Sequence, residues 1–162
     1  MIKILSSMGQ WLWAGTIAIA VGPYWFSPIA HAQQFLPEIT NLKQSTQRWI
    51  QIDLSSQRLF AWEGPTQVYA IVISTGKPST PTPTGVFAVQ ERLRYARMQG
   101  EDYDIADVPY TMYYSGNYAI HGAYWHHRFG TPVSHGCINL AVDHARWLFK
   151  WASVGTPVIV QD

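Results

Sequence analysis

From Trp49 to Gln161 the chain is written in short apolar stretches, many of them alternating, cut by Gly, Pro and Ser turns. That rhythm leaves little room for anything but sheet. Trp49-Ile50-Gln51-Ile52-Asp53-Leu54 alternates, Ser55-Ser56-Gln57 supplies turn chemistry, and residues 58–63 complete a hairpin. Gly64-Pro65 breaks it. Residues 67–75 read as a third strand, apolar enough to lie centrally in a sheet. Residues 86–90, 110–114 and 118–120 read as further strands, the last two around a Ser115-Gly116-Asn117 turn, and residues 156–161 as the final one. Only residues 142–153 have helical spacing. There Ala141, Ala145, Leu148, Phe149 and Ala152 share a face, Asp143 sits in the first turn and Gly155 can close the end. The expected fold is mainly β with one α-helix.

A chain of 162 residues suits one domain. The N-terminus reads as something other than fold. Lys3 gives a positive start, residues 11–22 are an apolar run, and Ala30-His31-Ala32 is a small-x-small cleavage signal. Together they predict a secretory signal peptide over residues 1–32, cut after Ala32, and export to the periplasm or cell wall. A retained anchor is the rival reading, but the run is short for a span of about 20 apolar residues, and Pro23 and Pro28 interrupt its continuation. Residues 33–47 are polar with little periodicity and read as a spacer, which puts the domain at 48–162. Lys3 is the only charged residue within 1–32, so 11 basic and 10 acidic residues become ten of each. A neutral mature chain lacks the electrostatic footprint of nucleic-acid binding.

Two segments resist the strand pattern. Residues 76–85 carry three prolines, which hold a loop stiff and extended, and strands press in on both sides, so they read as a structured wall. Residues 91–108 carry eight of the 21 charged residues and little regularity. An irregular stretch of that length is expected to be a flap over the functional groove or a solvated excursion.

The chemistry concentrates between Ile120 and Leu140, which hold the single cysteine, Cys137, and four of the six histidines. One cysteine cannot form an internal disulfide, and an unpaired thiol in an exported chain is exposed to oxidation. A thiol attacks well only as thiolate, so it needs a base. His135, two residues before Cys137, shares a face with it in an extended strand, and His121 can be brought back by the intervening loop. Spacing does not choose between them. Gly136 suits a tight turn whose amides converge on an oxyanion, with Ser134 and Asn139 as hydrogen-bonding supports. Two other readings stand beside this one: a buried, inert thiol, or zinc held by His121, His126, His127, His135 and Cys137. His126 and His127 are adjacent, and neighbours on a strand point apart, so both read as loop residues near the groove.

The string His121-Gly122, a short interval, then Ser134-His135-Gly136-Cys137-Ile138-Asn139 resembles the signature of the L,D-transpeptidase (YkuD-type) catalytic domain. The likeness extends over about residues 49–161, including IDLSSQRLFAWE, STGKPSTPTPTGVF and GTPVIV. Many relatives carry Arg where this chain has Asn139, and Asn is a familiar variant. The resemblance implies a mixed β-sandwich with Cys137 as nucleophile and His121, oriented by the Gly122 region, as general base. It further implies that His135, Gly136 and Cys137 line the oxyanion site. Tyr113, Tyr118, Trp125 and Arg128 are candidate residues of the substrate groove. The implied reaction is acyl transfer between peptidoglycan stem peptides. Cys137 attacks a diaminopimelate-type carbonyl, expels D-Ala, and passes the acyl group to an amine, giving a 3→3 cross-link. No metal or organic cofactor is required, carbapenem-type β-lactams are implied covalent inhibitors, and a monomer is expected. Alternatives are a carboxypeptidase or amidase of the same fold using water, and a non-catalytic peptidoglycan-binding module.

Overall fold

A computed structural model of the chain describes residues 34–162. The expected signal peptide lies outside the described residues. Nine strands form two sheets with two helices among the described residues. The strands are β1 (Arg48–Asp53), β2 (Arg58–Glu63), β3 (Thr66–Val72), β4 (Gly85–Ala88), β5 (Glu91–Gln99), β6 (Asp104–Ser115), β7 (Tyr118–Gly122), β8 (Ile138–Leu140) and β9 (Pro157–Gln161). The helices are α1 (Leu36–Lys43) and α2 (Val142–Trp151).

The first sheet runs β3-β2-β1-β9-β4 and the second β5-β6-β7-β8. Both are mixed, because β1 pairs with β9 and β7 with β8 in parallel. The alternation read in β1 has a structural cause. Ile50 and Ile52 enter the main core, where Leu59, Ile71, Val158 and Val160 from the first sheet meet Met112, Tyr114, Ile120, Ile138 and Leu140 from the second. On α2, Ala145 and Leu148 fill the same core, with Ala152 beyond the helix end, as the helical spacing predicted. Gly155 closes the turn into β9 rather than the helix, donating its amide to Val89 O at 2.8 Å.

The structure corrects three expectations. Residues 33–47 are no featureless spacer: α1 buries Phe35 and Ile39 against Trp49 and Ile159 on the outer face of the first sheet. Phe35, Ile39 and Leu42 stand at i, i+4 and i+7, a helical signal too brief to see in a polar setting. The strand after Gly64-Pro65 is an edge, not a centre, with Val68 and Val72 exposed. Its apolar run continues past the sheet, where Ile73 is buried and Ser74 bridges to Asn139 of the second sheet. Residues 91–108 are regular: β5 and the start of β6 form a long antiparallel ribbon. Most of its residues are exposed, so no buried face imposed an apolar period on the sequence.

Candidate active site

The parallel pairing of β7 and β8 builds the site. It sets His121 opposite Asn139, places Cys137 just ahead of β8, and puts all three on a cavity of about 320 Å³. The ribbon contributes Met98, Tyr103 and Ile105, the loop after β7 contributes Trp125, His126 and Arg128, and the cysteine turn adds Val133, Ser134 and His135.

His121 is buried, and its Nδ1 lies 3.1 Å from Gly122 O. A carbonyl only accepts, so Nδ1 carries the proton and Nε2 keeps its lone pair, the tautomer a base requires. Trp125 stacks over the ring with centroids 5.7 Å apart. Burial pushes the imidazole pKa down to about 4. Burial also pushes the Cys137 thiol up, partly offset by the Ala119 amide. Both groups therefore rest uncharged at neutral pH.

The cysteine turn is pinned to the proline-rich loop. Ser134 donates its hydroxyl to Cys137 O and accepts the Gly136 amide at 3.0 Å. Ser134 O accepts from the Lys77 amide and the Thr80 hydroxyl, and Thr75 O accepts from the Val133 and Ser134 amides. Thr82 bridges the two segments, accepting the Gly76 amide and donating to Gly136 O at 2.8 Å. Backbones approach so closely that a Cβ on Gly76 would stand 2.9 Å from Gly136 Cα. Gly136 has φ +110, and a Cβ there would lie 2.5 Å from the Tyr118 ring. The stiff wall expected of residues 76–85 is this scaffold.

The supporting residues depart from the sequence-based picture. The Gly136 amide is taken by Ser134, so it is not an open oxyanion donor. His135 turns to the ribbon tip, where its Nε2 sits 3.0 Å from Asp102 Oδ2 and its ring stacks on Tyr103 at 4.7 Å. That bond also holds the Asp102 carboxyl below the usual range. Tyr118 packs beneath Gly136, and Tyr113 lines a neighbouring hollow with Asn117 rather than the cavity that holds His121. Trp125 and Arg128 do line it. Cys137 Sγ reaches Asn117 O at 3.8 Å.

Sequence reasoning set His126 and Asn139 apart, and the structure joins them. The Arg128 amide donates to His126 Nδ1 at 3.2 Å, so Nε2 must hold the ring proton. The Asn139 atom 2.9 Å from Nε2 must then be the side-chain oxygen rather than the nitrogen, an amide orientation the hydrogen-bond logic fixes. Burial first, then the Arg128 guanidinium, push the His126 pKa down. With His126 bound to Asn139 and Arg128, and His135 to Asp102, these nitrogens are engaged within the protein. Among the described residues, no three His, Cys, Asp or Glu side chains are grouped to hold a metal ion.

The fold has known counterparts. The chain belongs to the YkuD family, whose L,D-transpeptidase catalytic domain matches residues 47–160. L,D-transpeptidase 1 of Mycobacterium tuberculosis (strain ATCC 25618 / H37Rv) is 36% identical over 100 residues, which span 54% of this chain and 39% of that protein. An L,D-transpeptidase from Mycobacterium smegmatis superposes with a TM-score of 0.68 at 28% identity, covering 72% of this chain and 59% of that one. L,D-transpeptidase 3 from Mycobacterium tuberculosis, solved in complex with a faropenem-derived adduct, gives 0.65 at 25% identity, covering 71% and 60%. The fold is that of an L,D-transpeptidase catalytic domain.

Proposed function

We propose that the chain is an exported L,D-transpeptidase that forms 3→3 peptidoglycan cross-links through a Cys137 thioester. The observation that carries this reading is the His121 tautomer: Nδ1–H is fixed on Gly122 O, which leaves Nε2 to act as base on the cavity that holds the thiol. Because both partners rest neutral, proton transfer accompanies attack. Sγ bonds to the carbonyl carbon of the third stem residue while its proton passes to Nε2. The tetrahedral oxyanion forms beside the cysteine turn, where the Cys137 amide is the nearest backbone donor by sequence. Collapse breaks the bond to D-Ala, whose amine takes the proton from His121. The acceptor amine then attacks the thioester, gives its proton to Nε2, and the thiol is restored as the new amide forms.

Export agrees with a substrate outside the membrane. The relative with a faropenem-derived adduct supports β-lactams as covalent inhibitors here. Incubation with defined disaccharide-tetrapeptides tests the reading. Cross-linked dimers with released D-Ala are expected, and both should vanish in Cys137→Ala. Tripeptides alone would assign water as the acceptor and make the protein a carboxypeptidase. Dimers formed by Cys137→Ala would place the nucleophile elsewhere.

A further inference from the structure

The cavity is electrically one-sided. Arg128 is the only Lys, Arg, Asp or Glu lining it. Among the described residues no carboxylate lies within ion-pair distance of its guanidinium. The acid near the rim, Asp102, is already engaged by His135 on the opposite, ribbon side.

Arg128 is also held in place. Its amide donates to His126 Nδ1, and its carbonyl accepts the Ser74 hydroxyl at 2.7 Å. Two residues on, the Gly130 amide donates to Ile73 O at 2.8 Å. Backbone clamps on both sides of a residue limit where a long side chain can reach. Arg128 and His126 line the same cavity, and after burial the guanidinium is the next cause that pushes the His126 pKa down. A guanidinium without an ion-pair partner, on an anchored backbone at the cavity, offers a planar fork of donors matched to a carboxylate.

We propose that Arg128 reads a substrate carboxylate adjoining the scissile bond and thereby sets donor specificity. The inference rests on the transpeptidase reading for the identity of the donor, a tetrapeptide stem. Such a stem can offer the terminal carboxylate of the leaving residue or the side-chain carboxylate of a diaminopimelate-type third residue. The chemistry at Arg128 is the same for both.

The test is a binding cycle in the Cys137→Ala protein, which needs no turnover. The free-acid tetrapeptide, its C-terminal carboxamide and its side-chain carboxamide are titrated against Cys137→Ala and against Cys137→Ala/Arg128→Gln. One of the two amides should bind about tenfold more weakly than the acid with Arg128 present, the size of a charge-assisted contact at an open rim. The Gln variant should bind the acid about tenfold more weakly and lose the preference for acid over that amide. The amide that responds names the carboxylate. Equal preferences with and without Arg128, or no binding of the acid, overturns the proposal. Failure of dimer formation by the intact enzyme would instead count against the transpeptidase reading.

Discussion

The turn carrying Cys137 and the β5–β6 ribbon across the cavity are held in unlike ways. The turn is tied to residues 74–82 by a set of buried and part-buried backbone and hydroxyl hydrogen bonds, and position 136 takes only glycine because a Cβ there would meet the Tyr118 ring. The outer half of the ribbon is exposed. It is anchored to the rest of the protein by Asp102 on His135 and by the Tyr124 hydroxyl on Ala106 O at 2.8 Å. Its internal tie, Arg97 on Asp104, is solvent-facing. Buried, mutually dependent bonds open only with the core, whereas exposed ones open locally at small cost. The proposed nucleophile thus sits on the firmly tied wall, and the ribbon forms the more loosely tied one.

If that contrast is sound, substitutions should separate the walls. The largest effect is expected for Gly136→Ala. A positive φ closed to L side chains, added to a Cβ driven into the Tyr118 ring, should cost about 3–5 kcal/mol in urea unfolding. Activity should fall with it, and a fully stable variant would break the account of the fixed wall.

The next effect is a pH dependence on the same wall. His121 is pushed down to about 4 by burial, against about 6.5 when unfolded. Below pH 6.5 the unfolded chain takes a proton that the folded one refuses. Its contribution is thus present above pH 6.5 and lost as pH falls toward 4, by on the order of 3 kcal/mol. Stability differences between the wild type and His121→Gln across this window should show that slope disappear in the variant.

The smallest stability effect belongs to the ribbon. Asp102→Asn should leave Tm unchanged within about 2 °C, because the tie is exposed. It should still alter the rate of Cys137 acylation a few-fold by loosening the ribbon. A Tm loss comparable to that of Gly136→Ala would erase the distinction between the walls.

The same contrast explains what was legible in the sequence. The fixed wall is local and repetitive in its chemistry. Alternation in residues 49–54 marked β1, three prolines marked a stiff loop, and the spacing of Ser134, Gly136 and Cys137 marked a tight turn. The ribbon buries almost nothing, so residues 91–108 carried no period and passed for a loop. Helix α1 buries only one short stripe, and a single turn of apolar spacing is weak in a polar stretch. Side-chain pairings were harder still. Nothing in the order of residues says that His135 would turn to Asp102, that Ser134 would occupy the Gly136 amide, or that Arg128 would fix the tautomer of His126. Tyr113 and Tyr118 flank a turn near the site, and their order does not say that one would pack under Gly136 and the other line the neighbouring hollow.

The central claim is that His121, and not the nearer His135, serves Cys137 as base. The most direct measurement is the rate of Cys137 acylation by a penem or carbapenem, followed by intact-protein mass, in His121→Gln and His135→Gln. The account predicts a loss of about 100-fold or more for His121→Gln, the scale of general-base catalysis, and less than about tenfold for His135→Gln. A larger loss in His135→Gln than in His121→Gln would contradict it.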